Sequence, residues 1–201
     1  MRKPFRRGLA MAVAGLILSA CSVVGIRTGT EETRYEVVER IGDGVEIRRY
    51  PARLAAETTV PGSDGGVARG QAFRRLAGFI FGDNRPGEKI AMTAPVTTDT
   101  DGAAMTMRFF MPAAYSRASL PEPSDPSVRI VELPPATLAV LRFTGSTSPA
   151  AVAPRATELD QILAGSTWRA TGPPFAMFYD PPWTIPFLRR NEVAVPVATR
   201  G

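Results

Sequence analysis

Histidine is absent from this chain of 201 residues, and cysteine occurs once, at Cys21. Without histidine there is no Ser-His-Asp triad, no Cys-His dyad and no histidine-ligated metal of any kind. A single thiol excludes an intramolecular disulfide and a Cys-cluster metal site. Lysine is scarce as well: beyond the first twenty residues only Lys89 remains, and every other cation is arginine. Hydrophobic residues are not scarce. At 44% they are too many for a disordered polymer and enough, at this length, for one buried core; two domains would be cramped.

The first twenty residues read as a leader. Arg2, Lys3, Arg6 and Arg7 form a positive n-region, and Gly8 to Ala20 is an uncharged stretch too short to span a bilayer but suited to an h-region. It closes on Leu18-Ser19-Ala20-Cys21, which resembles the lipobox of bacterial lipoproteins. The resemblance implies cleavage before Cys21, with lipid on its thiol and amine. The alternative is an ordinary signal peptide followed by a chance cysteine. Ser22, not an acidic residue, follows the cysteine, and by analogy this points to the outer membrane, facing the periplasm. The chain then divides into a leader over 1–20, a small, polar tether over 21–33 with lipidated Cys21, and a single domain over 34–201. Losing the leader removes four cations and no anion. The mature part has 20 basic against 19 acidic residues, a net +1 rather than +5, so the high isoelectric point leaves no nucleic-acid footprint.

The hydrophobic pattern predicts a mixed fold. Tyr35 to Arg40 and Val45 to Tyr50 read as strands around the turn Gly42-Asp43-Gly44, and Ala52 to Val60 as a further strand. Phe73, Leu76, Ala77 and Ile80 share one face of a helix from Val67 to Phe81, closed by Gly82. Lys89 to Thr98 and Ala104 to Met111 follow as strands, with Met105, Met107, Phe109 and Met111 on one face. Val128 to Glu132 and Thr137 to Thr144 flank Pro134-Pro135. Ser148-Pro149 opens a second helix whose apolar face is Val152, Ala156, Leu159 and Leu163, with Gly165 at its end; Pro154 predicts a later start. Phe175 to Tyr179 and Glu192 to Val197 are the last strands.

The plan occurs twice. At a constant offset of 83, Val45, Ile47, Pro51, Ala56, Gly62, Leu76 and Gly82 match Val128, Ile130, Pro134, Ala139, Gly145, Leu159 and Gly165. At an offset of 85, Ala91-Met92 matches Ala176-Met177. Two units are too few for a solenoid. They predict an α+β fold: a pseudo-two-fold distorted antiparallel β-barrel from two β-β-α-β-β repeats, with two flanking helices.

Six motifs in order resemble one family. They are Val45-Glu46-Ile47-Arg48-Arg49-Tyr50, Phe79-Ile80-Phe81-Gly82-Asp83-Asn84, Lys89-Ile90-Ala91-Met92-Thr93-Ala94-Pro95-Val96, Phe110-Met111-Pro112, Tyr179-Asp180-Pro181-Pro182-Trp183 and Arg190-Asn191-Glu192-Val193. From Tyr35 to Val197 the chain resembles the SOUL family of haem-binding proteins. The resemblance implies haem or another tetrapyrrole as cofactor and partner, in a shallow apolar groove beside the first helix; the residues themselves offer no catalytic set, and the charge balance no nucleic-acid partner. Histidine ligation of iron is closed to this sequence. Any haem is left with apolar contact, arginines at its propionates, and at most a weak Met, Tyr or Lys ligand.

The candidate cofactor-binding residues are Arg69, Phe73, Arg74, Arg75, Ala77, Phe81, Met92 and Met177, each with a plainer reading beside it. Phe73, Ala77 and Phe81 supply flat apolar walls, or, for the first two, face the core. Arg69, Arg74 and Arg75 are the arginines nearest the groove; Arg74 and Arg75 reach propionates or lie on a solvated face. Met92 and Met177 bracket a ligand from equivalent repeat positions, or fill a core. Tyr179 to Trp183 forms a lip over a pocket or a rigid turn, and Arg190-Asn191-Glu192 a structural salt-bridge knot. Three functions follow: a lipid-anchored haem buffer or carrier, an envelope interaction or scaffold domain that has lost haem, and an enzyme on a flat ligand, for which no acid–base pair is evident.

Overall fold

A computed structural model describes residues 29–62, 66–100 and 102–201; Cys21 and the leader lie outside the described residues. The frame consists of β1 (Glu36–Ile41), β2 (Val45–Tyr50), β3 (Arg53–Pro61), α1 (Val67–Phe81), β4 (Val96–Thr100), β5 (Ala104–Phe110), β6 (Val128–Leu133), β7 (Ala136–Phe143), α2 (Pro149–Ala164), β8 (Phe175–Phe178) and β9 (Asn191–Thr199). The strands make one sheet in the order β6-β3-β5-β4-β8-β9-β7-β2-β1, every pairing antiparallel. The path is open at β6 and β1, so the sheet curls into a half-barrel. The expected α+β architecture of two β-β-α-β-β repeats with two flanking helices is borne out.

The repeat is visible in the strand order. Outward from the β4–β8 seam, one side runs β4, β5, β3, β6 and the other β8, β9, β7, β2. In sequence β6 belongs to the second repeat and β2 to the first. Each repeat therefore lends its opening strand to the other half. The links that carry the chain across are Pro51-Ala52 and Pro134-Pro135. Proline fixes φ and offers no ladder donor, which disfavours a hairpin at these points. At the seam Thr98 opposes Ala176, and this pair marks the pseudo-two-fold.

Both helices pack on the same face of the sheet. Under α1 lie Ala56, Val60, Met105, Met107 and Phe109, meeting Ala72, Leu76, Phe79 and Ile80. The methionine parity of β5 faces this core, as its alternation predicts. Under α2, Val45, Ile47, Ala139 and Val193 meet Leu159 and Leu163. The opposite face carries a third cluster, with Tyr50, Leu138, Val140, Met177, Tyr179 and Ala194. Helix α1 stops where expected. Gly82 adopts φ +122°, and its N–H and that of Asp83 both reach the Gly78 carbonyl. Asn84 then fixes the exit: its amide donates to the Phe79 and Glu88 carbonyls, and its oxygen accepts from the Gly87 and Glu88 N–H groups.

Two expectations need correction. The strand predicted from Lys89 does not begin there: residues 89–92 are irregular, and pairing starts at Thr93–Ala94 and then β4. Ile90 is drawn instead to the end of α1, donating to the Ile80 carbonyl. Helix α2 starts at Pro149 and runs through Pro154. The ring removes only the bond to Ala150, whose exposed carbonyl can take water instead.

Leu76 is fully buried between α1 and the sheet. Leu76→Ala is expected to lower unfolding stability by about 2–5 kcal/mol, the usual cost of such a cavity, read as a lower denaturant midpoint at unchanged slope.

Candidate functional site

The two helices leave a groove over the seam, with a volume of about 300 Å³. Its floor is sheet, including Thr98, Met105 and Ala176; one wall is the start of α2, with Val152 and Ala156, and Arg69 of α1 stands opposite. The groove thus lies on the pseudo-two-fold and takes residues from both repeats. Its lining is mostly apolar, and Arg69 is the charged side chain in it.

Arg69 is held rather than free. Its Nη1 donates to the Thr147 carbonyl at 2.8 Å and to the Thr147 hydroxyl at 3.1 Å. The guanidinium carbon lies 5.0 Å from the centre of the Phe178 ring, within cation–π range. Its Nε is buried without a hydrogen-bond partner, and no carboxylate pairs with it among the described residues. Burial alone pushes this guanidinium below its ordinary pKa. A cation of this kind is costly unless something anionic meets it.

The row Arg69, Phe73, Ala77 and Phe81 follows a four-residue spacing along α1. Phe73 stands edge-on to Phe109 at 5.3 Å between ring centres and remains 37% exposed; Ala77 is buried, and Phe81 is 62% exposed. Arg74 is exposed. Arg75 is half-buried near Asp125, whose carboxyl is held low by Ser127 and further by Arg75. Met92 and Met177 do not face each other across the groove. Met92 lies before β4, outside any strand and 40% exposed, whereas Met177 is buried in β8 on the face away from the helices. The matched dipeptides are therefore not equivalent: at the seam the structure sets Ala176 against Thr98, and Met177 against Thr97. The wall formed by α2 was missed in the sequence. Its only signal was the repeat itself, which puts a second helix across the axis from the first.

The opposite face holds a buried charge cluster. Glu192, fully buried on β9, accepts from Arg48 Nη1 at 2.8 Å and Nη2 at 3.1 Å, from Arg190 Nε at 3.0 Å, and from the Tyr179 hydroxyl at 2.7 Å. Arg48 also binds Glu46, and Arg190 binds Glu32. Tyr35 and Tyr179 cover the two guanidinium groups at 4.3 and 3.7 Å. Burial opposes ionisation of Glu192, but Arg48 and Arg190 outweigh it and hold the carboxyl below its ordinary value. The same burial, with Glu192 adjacent, pushes the Tyr179 phenol well above its own. A polar cleft of about 730 Å³ opens beside the cluster, but its deepest cations, Arg48 and Arg190, are already paired. Among the described residues no group of His, Cys, Asp or Glu is disposed to hold a metal ion.

The pseudo-two-fold sheet, with both helices on one face and a groove on its axis, defines a two-repeat α+β half-barrel. Residues 30–196 match the family described as SOUL heme-binding protein, and the chain belongs to that family. The family is defined by binding rather than catalysis. Heme-binding protein 1 of Mus musculus is 31% identical over 178 residues, covering 82% of this chain and 85% of the relative. Heme-binding protein 1 of Sus scrofa is 30% identical over 130 residues, or 61% and 68% of the two chains. Among solved structures, the EcmrR C-terminal domain aligns at a TM-score of 0.57 with 13% identity, covering 83% of this chain and 99% of that one. The EcmrR–DNA complex gives 0.60 at 13% identity, covering 96% and 67%. These last two likenesses bear on the fold alone.

Neutralising Glu192 leaves two buried guanidinium groups short of a counter-charge. Glu192→Gln is expected to cost on the order of 3–5 kcal/mol of stability. Because the native pKa is depressed, this contribution is present above the ordinary glutamate range and is lost as pH falls through and below it. Melting temperature against pH should therefore drop steeply on the acid side in the wild type and more shallowly in the variant.

Proposed function

We propose that the chain binds haem or another tetrapyrrole reversibly, with one edge of the ring system in the inter-helix groove and a propionate at Arg69. The observation that carries this reading is the buried Arg69 guanidinium, which has an unmet donor at the wall of an apolar groove. A propionate supplies the missing acceptor and charge. The groove is smaller than a tetrapyrrole, so the remaining surface would lie along α1, against the exposed Phe73 and Phe81. Kinship with relatives named for haem binding supports the same choice. The chain contains no histidine and Met177 is buried on the other face, so the ring is held mainly by its periphery, with Met105 in the groove floor as the one methionine beside it. The role is that of a buffer or carrier on a bacterial envelope, anchored by lipid on Cys21 and facing the periplasm from the outer membrane. No nucleic-acid partner belongs to this reading.

A second reading keeps the fold and gives up the ligand: an envelope interaction or scaffold domain. The limited groove volume and the missing histidine favour it.

Haemin titration separates the two. Saturable one-to-one binding, seen in the Soret band and by tryptophan quenching, is expected. Arg69→Ala should weaken it by about tenfold or more, the loss of one charge-assisted bond. Arg74→Ala should have a much smaller effect. Non-saturating uptake, unchanged in Arg69→Ala, would leave the scaffold reading in place.

A further inference from the structure

Trp183, Phe187 and Leu188 are 65%, 70% and 37% exposed, and all three belong to the loop 180–190 between β8 and β9. Such a concentration of large apolar side chains in water needs an explanation. The loop is not loose. Arg189 donates from Nε to the Thr184 carbonyl and from Nη2 to the Pro182 carbonyl, drawing the two ends together. The Arg190 N–H donates to Asp180, the Gly145 N–H to the Pro186 carbonyl, and Thr184 is buried beneath. The fold therefore fixes these side chains outward instead of letting them collapse. None of the three lines either the groove or the polar cleft.

The position of the chain's entry says what faces them. The N-terminal segment is fastened at Glu31–Glu32, paired with Thr93–Ala94, and Glu32 binds Arg190 Nη1 at 2.9 Å. Arg190 is the root of the loop. Cys21 precedes Gly29 by eight residues, a reach of at most about 28 Å. A lipid on Cys21 would hold that root close to a bilayer. Tryptophan in particular is suited to the boundary between headgroups and acyl chains.

We propose that the Trp183–Leu188 loop docks on a lipid bilayer, with Trp183, Phe187 and Leu188 entering the interface and orienting the domain against the membrane that anchors it. The inference rests on the reading of Cys21 as a lipid anchor. Anchoring supplies local concentration, and the loop supplies orientation. Thr147 holds Arg69, and Gly145 two residues earlier holds Pro186, so loop and groove wall share one support.

The test uses the full gene expressed in a bacterial host, with the product placed in phosphatidylethanolamine–phosphatidylglycerol vesicles. The chain has two tryptophans, so a Trp168→Phe background leaves Trp183 as the only emitter. Its thermal melt confirms that the fold is kept. Brominated acyl chains should quench Trp183 and shift its emission to the blue, and Phe187→Ser/Leu188→Ser should lose most of that quenching. The mass of the peptide carrying Cys21, measured on the same sample, tests the anchor separately. If Cys21 proves unmodified, excess vesicles must still quench Trp183 for docking to stand. Trp183 that stays open to iodide and blind to bromolipid, on a chain sedimenting with vesicles, overturns the proposal. Saturable quenching by haemin without any response to lipid does so too, and assigns the loop to ligand cover.

Discussion

Each repeat gives its first strand away, and the rest of the structure depends on that exchange. β2 pairs with β7 and β6 with β3, so neither half has a complete sheet until the other is present. The exchange lets the sheet pass unbroken across the pseudo-two-fold, where Thr98 meets Ala176. It also sets both helices on one face, side by side, with a groove between them. Such pairing spans much of the sequence, and its loop-closure cost falls due before the contacts are gained, which makes for slow, cooperative folding.

The two halves keep the same backbone plan and use it differently. On the face away from the helices, Thr59 and Thr106 are paired across β3 and β5, their hydroxyls 3.0 Å apart. At the matching place in the second half, Arg142 is paired with Glu192. There Glu192 is fully buried between Arg48 and Arg190, with Tyr35 lying over the Arg48 guanidinium. The helix face differs as well. α1 brings a cation to the groove at Arg69, whereas α2 brings Val152 and Ala156. A symmetric frame thus carries one polar anchor and one apolar wall, an arrangement suited to a flat ligand with charge on one edge.

Much of the fold was legible because local and global signals agreed. Val45–Tyr50 and Val67–Phe81 are where alternation and helical periodicity put them, and Gly82 takes the positive φ expected of a closing glycine. Pro51 and Pro134 stood out as repeat positions, but their work in crossing the chain between halves needed the strand order. Lys89 to Met92 misled, because an apolar alternation there serves the end of α1 rather than a ladder. The site was harder. Arg69 was visible as an arginine on the right helix, as were Arg74 and Arg75, and only burial tells them apart. Met177 failed as a candidate because side-chain direction on a strand flips with each residue: its neighbour Ala176 lines the groove, and Met177 faces the other way.

The entry of the chain has a mechanical consequence. Glu31–Glu32 lies against Thr93–Ala94, the Thr33 N–H reaches the Ala94 carbonyl, and Glu32 grips Arg190, which shares Glu192 with Arg48. A pull on the N-terminal segment is therefore not delivered to a free edge such as β1. It meets the backbone pairing with Thr93–Ala94 and, through Arg190, the Glu192 cluster on β9 and β2. The entering segment is thus tied to the buried charge cluster as well as to the backbone of Thr93–Ala94.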